Sequence, residues 1–390
     1  MPVSVGKTAA QMSPRERLLA ALRRQEVDRI PWSPFFAYWW DFQPEQRRER
    51  GQVAYYREIG ADALMRGPTS AYTCSDLLGL AEVPLGASYN LVDNLPGCTI
   101  TRKTDGKQKF IEYDTPVGRL AVTLTYSQLG DTWFVTGHPI RYEEDYKTLQ
   151  WLVEHMWIGP CYEVLHEQIR EVGDDGLVVP LISPFLKTPF QSLIEHFVGT
   201  EKLIYDLYDF PQTVEATLAV MGRKAKSAVE ISVQSRAEAF ITWEDSSTTN
   251  LSPALFEKYV VPDIDAWGGI VHQAGKMLVH HACGHVRDLL PAIAREQIDA
   301  VESVSPPPTG NIEIWDAQRL LGGRVALIGG IEPVKLLTYN GDRFESYIRE
   351  ILDKIEGRGY ILANSDSCPP AVQEEKFRRI SALVAQKKLP

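Results

Sequence analysis

The stretch KMLVHHACGHVRDLLPAIAREQIDAVESV (276–304) holds a complete structural unit and decides how the rest of the chain is read. Its first nine residues, KMLVHHACG, form an apolar run with a glycine at its end. VRDLLPAIAREQ (286–297) then spaces its apolar residues at helical intervals, and AVESVSP (300–306) returns to a short apolar run. Strand, helix and strand in succession make a crossover unit whose two strands lie parallel.

The same alternation recurs along the chain. Candidate strands fall at RIPWSPFFA (29–37), ADALMRG (61–67), GLVVPLISPF (176–185), AFITWED (239–245), RVALIGGI (324–331) and YILANSD (360–366), which with the first two makes eight. Helical patterns fill most of the gaps, as in DYKTLQWLVEHMW (145–157), SPALFEKYVVPDIDAWGGIVHQAG (252–275) and RFESYIREILDKIEG (343–357). Eight β/α units predict an α/β fold, a single (β/α)8 TIM barrel across residues 1–390. Two additions depart from the alternation. Ser13, Pro14 and Glu16 fit an N-cap, a first-turn proline and a capping-box acid, so RERLLAALRRQE (15–26) is an N-terminal helical extension. Residues 98–127 alternate at period two around a DG turn and predict a small antiparallel insertion, a flap on the barrel.

Bulk properties narrow the function classes. A formal net charge of -10 argues against nucleic acid or an anionic membrane surface as the main partner. The N-terminus MPVSVGKTAAQMSPRERLL has no apolar signal core, and no apolar run reaches the roughly 18 residues of a membrane helix, so a cytoplasmic protein is expected. The five cysteines are scattered and odd in number, with no CxxC pair, which is not a disulfide framework. Cys74, Cys98 and Cys161 are assigned to packing.

Barrel enzymes gather their chemistry where the strands end. Glu244 and Asp245 end the fourth candidate strand, His281 and Cys283 the fifth; Glu302 sits on the sixth, and Cys368 follows the eighth. His281 and Cys283 are two apart, so on a strand both project to one side, as two ligands of one ion would. Gly284 lets the chain turn away behind them. Zinc accepts imidazole and thiolate, and a catalytic site leaves one position open. The competing reading is a hydrogen-bonded core histidine beside a buried cysteine. Glu244 and Asp245 are either catalytic carboxylates or salt-bridge partners at the rim. Phe36, Trp39 and Trp40, from the run PFFAYWWDF (34–42), are either core or the apolar wall of a site for a flat substrate.

The segments RERLLAALRRQEVDRIPW, EDSSTTNLSPALFEKYVVPDI, HHACGH, DAVESVS, GRVALIGGIEP and ILANSDSCPP together resemble the uroporphyrinogen decarboxylase superfamily over nearly the whole chain. Within it the sequence is similar to zinc-dependent methyltransferases that act with corrinoid proteins or thiols. The resemblance implies a (β/α)8 barrel, one zinc per chain on His281, Cys283 and Cys368, and Glu302 as a further ligand or catalytic acid. It also implies a small methyl donor, an aryl methyl ether undergoing O-demethylation among the options, and a corrinoid carried by a partner protein as acceptor. His285 is a candidate substrate contact, and a homodimer is allowed without being required. Two alternatives stay open: a zinc-dependent alkyltransferase acting on a thiol of the coenzyme M or homocysteine type, and a metal-free decarboxylase. The decarboxylases carry an arginine-rich stretch after the first strand, whereas SPFFAYWWDFQPEQ (33–46) has no arginine to meet a tetrapyrrole's carboxylates.

Overall fold

The computed structural model describes residues 11–77, 79, 91–128 and 132–387; the first ten residues of the N-terminal stretch discussed above lie outside it. Seven parallel strands form one curled sheet: Ala63–Ser70, Gly176–Leu181, Ala239–Glu244, Met277–Ala282, Ala300–Val304, Ala326–Ile331 and Tyr360–Asn364. The eighth expected strand, 29–37, contracts to a short tie. Trp32 forms a parallel bridge with Leu362 on one side, while its carbonyl accepts from Asp62 N–H (2.7 Å) on the other. Pro31 and Pro34 leave that segment too few N–H groups for a longer ladder. Those bonds join the two edge strands, and the molecule is a TIM-barrel-like α/β fold.

Side-chain parity sorts the barrel strands into inside and outside. Leu64, Leu177, Val179, Leu181, Ala239, Ile241, Met277, Val279, Ala300, Ala326, Ile328, Ile361 and Ala363 fill the interior as one apolar cluster. The N-terminal helix Pro14–Leu22, with the expected Ser13–Glu16 capping box, adds Leu18, Leu19, Ala21 and Leu22 to this cluster and closes the amino end of the barrel. The alternate residues on the same strands, such as Phe240 and Leu278, pack outward against the helices.

The antiparallel insertion is present and larger than expected. Thr99–Asp105, Gln108–Thr115 and Gly118–Ser127 pair as the alternation predicts, and Thr132–Gly137 adds a fourth strand. A further three-stranded sheet joins Leu91–Val92, Tyr72–Ser75 and Ile158–Pro160. Among the described residues no helix is long and apolar enough to cross a membrane.

Candidate active site

Register places the candidate residues at one level of the barrel. Trp243 pairs with His281, and His281 pairs with Glu302, so all three side chains leave the sheet on the same face. That face is the interior, because each continues the inward series of Ile241, Val279 and Ala300. Glu302 Oε2 and His281 Nδ1 are 2.5 Å apart, and the other Glu302 oxygen takes Arg66 Nη1. Arg66 also donates to Ser33 O (3.1 Å) and lies over the Phe35 ring. With Nδ1 engaged by a carboxylate, Nε2 is the ring nitrogen available to a ligand, as in metal sites where a carboxylate orients the histidine.

The electrostatics follow from this relay. Burial pushes the Glu302 carboxyl up, but Arg66 and His281 outweigh it and hold the group down at about 2. Burial favours neutral His281; Glu302, and beyond it Asp366 and Asp245, overcome that and raise its pKa above the ordinary value.

Behind the tie at residues 31–33 lies a cavity of about 550 Å³. Phe35, Phe36, Tyr38, Trp133, Phe134 and Trp243 form its aromatic walls, and His281, Arg66, Lys187, Glu195, Asp245 and Asp366 supply the polar groups. Trp133 and Phe134 come from the fourth strand of the insertion, so the flap borders the site. Of the three aromatic residues singled out in the sequence, Phe36 reaches the cavity lining. Trp39 and Trp40 turn into a core cluster with Tyr55, and Trp39 Nε1 donates to Val372 O (2.8 Å).

Glu244 and Asp245 part ways. Glu244 is one residue out of phase with the inward series, fully buried, and its oxygens accept from Thr188 N–H (2.7 Å), Thr188 Oγ1 (2.8 Å) and Thr242 Oγ1 (2.7 Å). It anchors the loop after Leu181 and does not line the cavity. Asp245 does: its Oδ1 accepts from Cys283 Sγ (3.1 Å) and its Oδ2 from Lys187 Nζ (3.0 Å). Lys187 also meets Glu195 (2.8 Å). Sequence reasoning passed over Lys187 and Glu195, although Lys187 stands just beyond a barrel strand, where the fold collects its chemistry.

Burial pushes Asp245 up, but Lys187 and the hydrogen bonds from its neighbours prevail and hold it well below the usual range. Burial also drives Glu195, with the Asp245 charge adding and Lys187 opposing, up to about 7. An acid raised in the folded state keeps a proton that the unfolded chain has released, so between about pH 4.5 and 7 stability falls as pH rises. Glu195→Gln is therefore expected to gain stability relative to the parent protein between about pH 5 and about pH 8, read from urea midpoints at both. The gain is modest because 41% of the Glu195 side chain is exposed and solvent screens it. An equal difference between the two proteins at both pH values would contradict the assignment.

His285 and Cys368 complete the inventory. His285 follows Gly284, whose φ of 84° makes the turn expected of it, and donates its N–H to Ser247 Oγ (3.0 Å) at the rim, outside the cavity lining. Cys368 is fully buried; its N–H donates to Phe35 O (3.1 Å) and its carbonyl accepts from Trp39 N–H (3.1 Å), which ties its loop to the aromatic segment. Among the described residues no group of three or more His, Cys, Asp or Glu side chains stands close enough to hold a metal ion, so Cys368 is not gathered with His281 and Cys283. The chemistry of the donors nonetheless fits a divalent cation. Glu195, Asp245, Glu302 and Asp366 surround the site against two fixed cations, Arg66 and Lys187. Burial, then Asp245 and Asp366, pushes the Cys283 thiol well up, with Lys187 opposing. Asp366 itself holds φ at 99°, an uncommon backbone state that clusters at functional sites.

Fold and cavity together define a TIM-barrel-like α/β protein with its polar groups gathered at the carboxyl ends of the strands. Residues 120–386, more than half of the chain, match the model of the uroporphyrinogen decarboxylase (URO-D) family, and the chain belongs to that family. Among solved structures it is similar to a methyltransferase from Methanosarcina mazei, with a TM-score of 0.60, 16% identity and coverage of 96% of this chain and 98% of that one. It is also similar to a B12-independent methionine synthase from Shewanella sp. W3-18-1, with a TM-score of 0.46, 10% identity and coverage of 92% and 96%. At these identities the likeness concerns the fold. No curated protein matches the chain by sequence.

Proposed function

We propose that the protein is a zinc-dependent methyltransferase that moves a methyl group from a small aromatic methyl ether to a corrinoid carried by a partner protein. The observation that carries this reading is the Arg66–Glu302–His281 relay, which aims an oriented imidazole into an aromatic-walled cavity that Asp245, the hydrogen-bond partner of the Cys283 thiol, also lines. A decarboxylase acting on a polyacid is disfavoured, because the two cations lining the described cavity, Arg66 and Lys187, are each paired with carboxylates.

The proposed zinc ligands are His281 and Cys283, with Cys368 as the third that the family resemblance implies although it is not gathered with them in this structure, and zinc bound there would supply a Lewis acid for the ether oxygen. Glu302 fixes the ring of His281, and Arg66 fixes Glu302. Asp245 accepts the hydrogen bond of the Cys283 thiol and fixes its Sγ, with Lys187 balancing the carboxylate's charge. Phe35, Phe36 and Trp243 hold the ring of the donor and keep water from its face. Glu195, which retains its proton toward neutral pH, is placed to protonate the departing phenolate through the cavity.

The test incubates native protein, purified without a metal-affinity tag, with 2-methoxyphenol and free cob(I)alamin. Methylcobalamin formation in the visible spectrum is expected, with about one zinc per chain by plasma mass spectrometry. Protein that carries no metal and gives no methylated cobalt sinks the reading.

A further inference from the structure

We propose that the cavity has a second arm, outside the strand Ala63–Ser70, which binds a neutral hydrogen-bonding tail of the substrate through the amides of Gln52 and Gln168. The proposal deepens the reading of this cavity as the substrate site and rests on it. Strand parity shows the arm. Leu64 and Arg66 point into the barrel and Met65 points outward, yet all three line the cavity. A space lined by both faces of one strand must pass around it. The passage lies at residues 67–69, where the strand bulges: Arg66 pairs with Val179, but Ser70 already pairs with Leu181. Bulges interrupt the ladder, bend the strand and recur next to active sites. Beyond this one the lining passes to Gln52, Tyr56 and Gln168, on the helices Gln52–Ile59 and Glu163–Val172 that pack against the outside of the strand.

The fold uses these two amides only in part. Thr69 Oγ1 donates to Gln168 Oε1 (2.8 Å), which fixes the amide and leaves its Nε2 without a partner among the described residues. Neither amide atom of Gln52 has a partner among them. Both residues are half-buried, and none of these three atoms is sealed inside the protein as Arg66 Nε is. Amides on a cavity wall offer donors and acceptors without charge, which suits an alcohol, ether or amide. Among the described lining residues this arm has no cation to meet a carboxylate, and Asp245 and Asp366 elsewhere in the cavity repel one. A volume of about 550 Å³ is that of a site for a drug-sized ligand, so a single methoxylated ring leaves the arm for a substituent borne on it.

4-(3-Hydroxypropyl)-2-methoxyphenol and 4-butyl-2-methoxyphenol differ only by hydroxyl against methyl at the end of the tail, so their affinity ratio isolates the hydrogen bond. Calorimetric titration should show the native protein binding both. The affinity of the alcohol relative to the alkyl probe should fall about tenfold in Gln168→Met, and no less when Gln52→Met is added. Methionine nearly keeps the length of glutamine, so the alkyl probe should bind all three proteins about equally. A merely structural role for the two side chains would weaken both probes together and leave the ratio alone. A ratio within about twofold of the native value in the double variant overturns the arm, as does the absence of saturable binding of both probes to the native protein. The ether reading fails separately: a ratio that depends on Gln168, in a protein that transfers no methyl group from 2-methoxyphenol, keeps the arm and removes the chemistry.

Discussion

On the proposed zinc reading, Cys283→Ser is expected to strip the protein of its metal and to lower methyl transfer by about 100-fold or more. The size of the effect follows from what already happens one shell further out, where loss of a group orienting a ligand costs roughly 10- to 100-fold in metal affinity or activity. Removing a ligand itself exceeds that, and a serine hydroxyl does not ionise at neutral pH as a coordinated thiol does. Glu302→Gln supplies the graded comparison, since it keeps the shape of the group that orients His281 while removing its charge, and should fall within the roughly 10- to 100-fold range. Cys161→Ser, a half-buried cysteine away from the cavity, should keep its metal. Plasma mass spectrometry of the four proteins reads the result without any assay of activity. Full zinc in Cys283→Ser, or equal loss in Cys161→Ser, would remove Cys283 from the ligand set.

How much of this was legible in the sequence depends on which physical rule governed each residue. The strand and helix alternation carried the barrel, because periodicity reports burial and seven of the eight strands are buried on both faces. The eighth fell short where prolines at 31 and 34 removed ladder donors, a signal already present in RIPWSPFFA. Parity would also have separated Glu244 from Asp245. Ile241 and Trp243 point inward, so Glu244 had to point out, and Asp245, just past the strand, was free to turn back. Trp39 and Trp40 were ambiguous in principle, since a large apolar side chain serves a core and a pocket wall equally well. Cys368 is prominent by resemblance yet held by its backbone against the 35–39 segment.

Arg66→Met is expected to destabilise the fold by roughly 3–5 kcal/mol, the cost of leaving one partner of a buried ion pair alone. The Arg66 and Glu302 side chains are each 1% exposed, and their strands lie on opposite sides of the barrel, with three strands between them in either direction once residues 31–33 are included. Their bond therefore spans the interior directly above the apolar layers. The charge of Glu302 would then be met by His281 alone. Replacing both partners, as in Arg66→Met with Glu302→Leu, removes the stranded charge and should restore most of the stability, because apolar groups of similar volume pack in such a place at little cost. Urea unfolding followed by tryptophan fluorescence measures both differences. If the single variant loses less than about 1 kcal/mol, the pair is not confined as described; if the double variant is as unstable as the single, the loss lies in packing against Phe35 and not in the charge. The double variant should be stable and inactive together, since the groups that orient His281 are the ones whose removal the fold tolerates.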